Sequence, residues 1–204
     1  MSRGPIVFLD KDGTLIEDLP YNVDPTRIRF APGSRAGLRR LAGIGARAVI
    51  VTNQSGVARG YFRMTDLDPV AEWLARELGL LGVPLAGFYA CPHLPDGVNE
   101  FAIDCDCRKP EPGLLVRAAD DLQVDPCHAW MIGDTWMDVE AGRRAGCSTI
   151  LIGPDGLGPD TPPGVAPDHR LPDLDHAAQL IVRRWGGRVP SVVTRAPFLA
   201  GTAR

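Results

Sequence analysis

The stretch Ile6-Val7-Phe8-Leu9 runs directly into Asp10-Lys11-Asp12-Gly13-Thr14-Leu15, and this junction constrains the fold more than any other. A short apolar run bounded by turn signals reads as a buried strand. In open parallel α/β sheets, ligands bind beyond the carboxyl ends of the strands. Asp10 and Asp12 stand at such an end. Strand alternation points both carboxylates the same way, unless the turn that Gly13 permits swings the second one round. Like charges held close repel each other, so the pair needs a cation, or one member must carry a proton.

Similar junctions recur along the chain. Arg47-Ala48-Val49-Ile50-Val51 ends at Thr52-Asn53-Gln54-Ser55-Gly56, where a hydroxyl and backbone N–H groups suit phosphate oxygens. Ala129-Trp130-Met131-Ile132 ends at Gly133-Asp134-Thr135-Trp136-Met137-Asp138. Its Asp134 suits a hard, oxygen-liganded cation such as Mg²⁺. Between these runs, Arg108-Lys109-Pro110 precedes a helix that Pro112 could start. A lysine there can neutralise a phosphoryl group and orient an attacking carboxylate. Singly, each is an ordinary strand-to-loop junction or a solvated basic pair. Gathered on one edge of a parallel sheet, they suit phosphoryl transfer. A cation offsets the charge, one carboxylate attacks phosphorus, and the other handles the leaving-group proton.

With these motifs in this order, from Ile6 to Ile152, the chain resembles the haloacid dehalogenase (HAD) phosphohydrolase superfamily. The resemblance implies one α/β, Rossmann-like domain with a parallel sheet flanked by helices. It implies that Asp10 is a nucleophile forming an aspartyl-phosphate, that Asp12 is the general acid/base, and that Thr52 and Lys109 hold the phosphoryl group. Mg²⁺ would be bound by the Asp10 side chain, the Asp12 backbone carbonyl and Asp134. An acid/base at Asp12 suits phosphate-ester hydrolysis, whereas the dehalogenases of the superfamily lack it.

A second signal is Cys91-Pro92-His93, followed after a loop by Cys105-Asp106-Cys107. Three thiolates and one imidazole make a closed, tetrahedral, structural Zn²⁺ set. Asp96, Gly97, Asn99, Glu100 and Asp104 leave the insert too polar to fold on a core of its own. Metal binding would then supply the ordering free energy. The plainer alternative is two buried cysteines and a surface His–Cys pair. With the gap 15–32 too short for a separate cap domain, the zinc-clamped loop 91–107 and nearby turns would select the substrate.

Such a loop is similar to that of the heptose 1,7-bisphosphate phosphatases and of the histidinol-phosphatase domain. The long stretch from His93 to Cys105 resembles the heptose branch. That resemblance implies Mg²⁺-dependent removal of the 7-phosphate of D-glycero-D-manno-heptose 1,7-bisphosphate, with histidinol phosphate or another small phosphoester as the alternative. It implies substrate contacts from the turn Asp18, Leu19, Pro20 and Tyr21, and from Thr52, Asn53, Gln54, Ser55, Arg59, Arg108 and Lys109. Arg59 and Arg108 offer planar donor forks suited to a second phosphate.

The 204 residues suffice for one domain with a real core. Of five cysteines, the zinc set takes three and leaves Cys127 and Cys147, which does not suggest a disulfide framework. There is no extended apolar region near the N-terminus and no run approaching the ~20 residues that span a bilayer. A net charge of −3 argues against non-specific nucleic-acid binding. We expect a cytoplasmic, monomeric enzyme acting on a small phosphorylated sugar, with no nucleic-acid or membrane partner. Helices are expected over 33–44, 65–78, 112–122, 138–145 and 174–184, the second opened by a Thr65–Asp68 capping box. A strand is expected over 149–152, a loop over 153–167 and an edge strand over 168–170. The domain should run over 1–185, with a mobile tail over 186–204.

Overall fold

The computed structural model describes residues 4–153 and 158–186. Beyond Gly186 the expected tail lies outside the described residues, as does part of the expected loop 153–167. Six parallel strands form one sheet: β1 (Ile6–Leu9), β2 (Arg47–Asn53), β3 (Leu85–Cys91), β4 (Trp130–Gly133), β5 (Ser148–Ile152) and β6 (His169–Leu171). Their order is β3-β2-β1-β4-β5-β6. Among the described residues, five α-helices flank it: α1 (Ser34–Ala42), α2 (Asp68–Leu80), α3 (Gly113–Leu122), α4 (Trp136–Ala145) and α5 (Leu174–Gly186).

β1 is central because all four of its residues are apolar and buried. Its side chains alternate between two cores. Val7 and Leu9 join Leu38, Leu41, Leu74 and Ile181 on one face, whereas Ile6 and Phe8 join Leu114, Leu115, Ala118 and Met131 on the other. A strand covered on both faces carries an unbroken apolar run, and each large aliphatic chain so buried contributes about 1.5–3 kcal/mol. β2 and β4 pair with opposite sides of β1, so the crossovers leave in opposite directions there. The crevice at such a switch point opens above the strand ends carrying Asp10, Thr52 and Asp134.

Helices and strands fall near the expected positions, with informative differences. β3 went unpredicted: Leu85-Ala86-Gly87-Phe88-Tyr89-Ala90-Cys91 holds small residues, and six of its seven positions are only half-buried at the sheet edge. The expected capping box at Thr65–Asp68 is replaced by one two residues earlier, at Arg63–Asp66. Asp66 accepts from the Arg63 N–H at 2.7 Å, a 3₁₀ turn (Met64–Leu67) follows, and α2 begins at Asp68. α4 starts at Trp136, two residues before the expected Asp138, because Thr135 and Asp138 cap it.

Residues 92–112 contain no helix or strand. They lean on the rest of the domain more than their polarity suggested. The Val98 N–H donates to the Ala58 carbonyl at 2.7 Å, Asn99 Nδ2 donates to the Val57 carbonyl at 2.7 Å, and Phe101 packs on Val57, Phe62 and Leu67. No helix among the described residues is long and apolar enough to cross a membrane.

α1 packs closely on α5, and Gly37 allows it: an added Cβ would stand 2.4 Å from the Leu174 carbonyl oxygen. Backbone cannot yield as a side-chain tip can. Gly37→Ala should therefore lower the unfolding free energy by about 1–3 kcal/mol in urea titrations, despite alanine's better helix propensity. A more stable variant would show that α5 can shift freely.

Candidate active site

The strand-end motifs meet at the Lys109 ammonium, which is 3 % exposed. Nζ donates to Asp10 Oδ1 at 2.5 Å, to Asp138 Oδ1 at 2.5 Å and to the Val51 carbonyl at 2.9 Å. An ammonium has three donors, and all three are used. Its main chain is held as firmly. Asn53 Nδ2 donates to the Lys109 carbonyl and Asn53 Oδ1 accepts from the Lys109 N–H, both at 3.0 Å. Asp138 serves two structures at once, because its other oxygen accepts from the Thr135 N–H (3.1 Å) and hydroxyl (2.6 Å), capping α4.

Asp12 points elsewhere. Its carboxylate accepts from Lys11 Nζ at 2.6 Å and from Gln54 Nε2 at 3.0 Å, and Gln54 Nε2 also reaches the Thr52 hydroxyl at 2.9 Å. The chain turns on through Gly13, whose φ of +79° is the left-handed conformation that glycine adopts without strain. A Cβ there would also stand 2.2 Å from Asp134 Oδ2. The Thr14 hydroxyl donates to Asp134 Oδ1 at 3.1 Å, fixing the third strand-end carboxylate.

Asp10, Asp134 and Asp138 each place a carboxylate oxygen within 4.8 Å of the others. Burial pushes Asp10 up to about 8, against the pull of Lys109 and helped by the charges of Asp138 and Asp134. Burial likewise pushes Asp134 up to about 6, with the Asp138 charge adding to it. Burial alone would lower Lys109, but the facing charges of Asp10 and Asp138 outweigh it and raise its pKa. Three carboxylates against one ammonium leave surplus negative charge. An all-oxygen set of this kind fits a hard divalent cation such as Mg²⁺.

The cysteine–histidine group is also gathered. Sγ of Cys107 lies 3.2 Å from Sγ of Cys91, 3.3 Å from Sγ of Cys105 and 3.2 Å from His93 Nδ1. Cys91 Sγ lies 3.6 Å from Cys105 Sγ and 3.7 Å from His93 Nδ1, and all three cysteines are unbridged. Four ligands around zinc with bonds of ~2.3 Å to sulfur would stand ~3.8 Å apart, close to this cage. Burial, with the neighbouring thiols, pushes Cys107 up to about 11 and raises Cys91 further. A bound cation would take the place of those protons.

A cleft of about 180 Å³ is lined by Asp10, Asp12, Asp18, Thr52, Asn53, Lys109 and Asp134, all expected from sequence, and by Thr135, Met137 and Asp138. Gln54 reaches it through Asp12 and Thr52. Leu19, Pro20, Tyr21, Ser55, Arg59 and Arg108 do not line this inner cleft. Tyr21 meets Tyr61 edge-on, with centroids 4.7 Å apart, and Arg108 donates to the His93 carbonyl at 3.1 Å. Sequence reasoning named no role for Lys11 or Asp138. The signal for Asp138 was present as Thr135-x-x-Asp138, a capping box placed directly after a strand end.

The family described as "HAD-hyrolase-like" matches residues 106–177. The D-glycero-beta-D-manno-heptose-1,7-bisphosphate 7-phosphatase of Pasteurella multocida (strain Pm70) is 43% identical over 147 residues, covering 72% of this chain and 80% of that relative. The protein of the same name from Escherichia coli (strain K12) is 40% identical over 149 residues, covering 72% of this chain and 78% of its own. Among solved structures, the D,D-heptose 1.7-bisphosphate phosphatase from B. bronchiseptica, complexed with magnesium and phosphate, superposes with a TM-score of 0.73 at 30% identity. That match covers 88% of this chain and 99% of the other.

Asp138→Ala would strip Lys109 of one charge partner and α4 of its cap. Its unfolding free energy should fall by about 3–5 kcal/mol in urea titrations, as for other broken buried ion pairs. Thr135→Ala removes a donor and leaves the carboxylate, so its loss should be smaller, about 0.5–1.5 kcal/mol. Equal losses would mean that the bond from Asp138 to Lys109 adds nothing to stability.

Proposed function

Because the chain belongs to the D-glycero-beta-D-manno-heptose-1,7-bisphosphate 7-phosphatase family, and is a phosphoric monoester hydrolase of the HAD type, we propose that it removes the 7-phosphate of a heptose 1,7-bisphosphate. The observation that carries the chemistry is the buried Lys109 ammonium aligned on Asp10 at the mouth of the cleft.

Asp10 is the nucleophile in this reading. Its carboxylate oxygen bonds to phosphorus as the bond from phosphorus to the sugar oxygen breaks, while Asp12 delivers a proton to the departing oxygen. Asp12 then takes a proton from water, whose oxygen attacks phosphorus. The acyl-phosphate bond breaks, restoring Asp10 and releasing inorganic phosphate. Gln54 and Lys11 hold Asp12 beside the cleft, away from the crowded trio, which supports its separate role. Thr52 and Lys109 hold the phosphoryl oxygens. Mg²⁺ held by Asp10, the Asp12 carbonyl and Asp134 would offset charge on the phosphoryl group. In the assigned set, Asn53 acts by fixing the Lys109 main chain.

Cys91, His93, Cys105 and Cys107 would hold a structural Zn²⁺, since four ligand atoms already converge and Lys109 follows two residues after the last. Beyond the inner cleft, Asp18, Leu19, Pro20, Tyr21, Ser55, Arg59 and Arg108 would frame the sugar and its second phosphate. Arg108 commits one donor to the His93 carbonyl, and its fork has others to offer. We further propose a monomeric, cytoplasmic enzyme with a small phosphorylated sugar as its substrate.

With heptose 1,7-bisphosphate as substrate, release of phosphate should require Mg²⁺. Asp10→Asn should lower kcat by orders of magnitude, and Asp12→Asn by roughly 10²–10⁴-fold, with folding intact by circular dichroism. Near-normal Mg²⁺-dependent turnover in Asp10→Asn would sink the aspartyl-phosphate route.

Elemental analysis of protein purified without added metal should find one zinc per chain. A Cys105→Ser/Cys107→Ser double variant should lose it and show faster proteolysis in the 91–107 loop. Zinc retained by the double variant would place the metal elsewhere.

A further inference from the structure

A wide concavity lies away from the catalytic cleft and shares no lining residue with it. It holds about 700 Å³ between the start of α1, the middle of α2 and the segment 28–31. Three arginines line it, Arg29, Arg35 and Arg39, against one carboxylate, Glu17, in a chain whose net charge is −3. Phe30 and Trp73 form its apolar wall, with ring centroids 5.6 Å apart and planes tilted by 36°.

The arginines are differently committed. Arg29 donates to the carbonyls of Thr26 (3.0 Å) and Ile28 (2.8 Å), which fixes its guanidinium. Arg35 lies over the Phe30 ring at 4.4 Å and reaches Glu77 only at 3.5 Å. The Arg39 side chain has no hydrogen bond or ion pair among the described residues. Guanidinium forks suit phosphate oxygens bidentately, whereas indole and phenyl faces suit a flat ring. A void of this size takes a ligand of several hundred daltons. We propose that this groove is a binding site for a nucleoside phosphate.

The groove is joined to the catalytic turn by main-chain bonds. The Glu17 N–H donates to the Arg29 carbonyl at 2.9 Å, and the Ala31 N–H donates to the Leu15 carbonyl at 3.1 Å. Ile16 bridges both Phe30 and Asp12. From the head of α1, the Ser34 hydroxyl donates to the Thr14 carbonyl at 3.2 Å, and Thr14 in turn holds Asp134. A ligand resting on Phe30 and Arg29 therefore presses on the segment that braces the Asp12 turn.

Isothermal titration of the full chain without Mg²⁺, using ADP, adenosine and inorganic phosphate in turn, tests the site directly. ADP should bind wild type and Asp10→Asn alike, and more tightly than adenosine or phosphate alone. Arg39→Glu should weaken ADP by about tenfold or more, as expected for a lost charge-assisted contact. The milder pair Arg35→Gln/Arg39→Gln, at exposed positions, should do the same if the charge reversal disturbs folding. No binding at millimolar ADP, or binding that falls in Asp10→Asn and survives the arginine changes, would overturn the proposal. Phosphate alone binding as tightly as ADP would remove the nucleoside from it.

Discussion

A buried ammonium is tolerable only where every proton on it finds an acceptor and opposite charge stands close. Lys109 meets both conditions with Asp10, Asp138 and the Val51 carbonyl. Each of these acceptors belongs to a different segment: the end of β1, the first turn of α4 after β4, and β2. The three chain segments are thereby drawn to one point at the middle of the sheet. Losing one partner of a buried ion pair typically costs about 3–5 kcal/mol, because the remaining charge is left uncompensated. The site's geometry and the domain's stability thus share one cation, and the same contact that aims the Asp10 carboxylate also closes the fold above the strand ends.

The residual imbalance is what gives the cleft its chemistry. Asp10 and Asp134 are both pushed upward as carboxylates by burial and by the neighbouring charge of Asp138. A divalent cation relieves that repulsion and can offset the negative charge of a phosphoryl group as well. A few residues further along the 105–109 stretch from its thiols, the chain faces a related problem with sulfur, since buried thiols favour their protons until a metal replaces them. Both centres are short of positive charge, and the chain between Cys107 and Lys109 is too short for their geometries to be independent.

Much of this was legible in the sequence, for physical reasons. β1, β2 and β4 are covered on both faces, so their apolar runs are unbroken and end sharply where polar chemistry begins. β3 was not legible, because an edge strand half-open to water has no need of a strong apolar pattern and carries Gly87 and three small neighbours instead. Asp138 escaped because a helix-capping carboxylate and a lysine-binding carboxylate look the same in one dimension; the distinction lies in the 2.5 Å approach of a residue 29 positions away. The direction of Asp12 depended on its partners Lys11 and Gln54, the second 42 positions away, which one dimension does not bring together. The groove beside Trp73 left no motif at all, since its arginines come from two elements with ordinary helix and turn spacing.

Asn53, the last residue of β2, grips both the N–H and the carbonyl of Lys109. The insert leaves the sheet at Cys91, beside Asn53 in the β2–β3 register, and returns to the same residue at Lys109. Its two feet are thus planted on one spot, and the loop between them contributes no strand to the sheet. The separation of those feet is set by one strand register and one amide, whatever path the loop takes between them. The lysine's place is thereby decided on the sheet itself, by a single amide side chain.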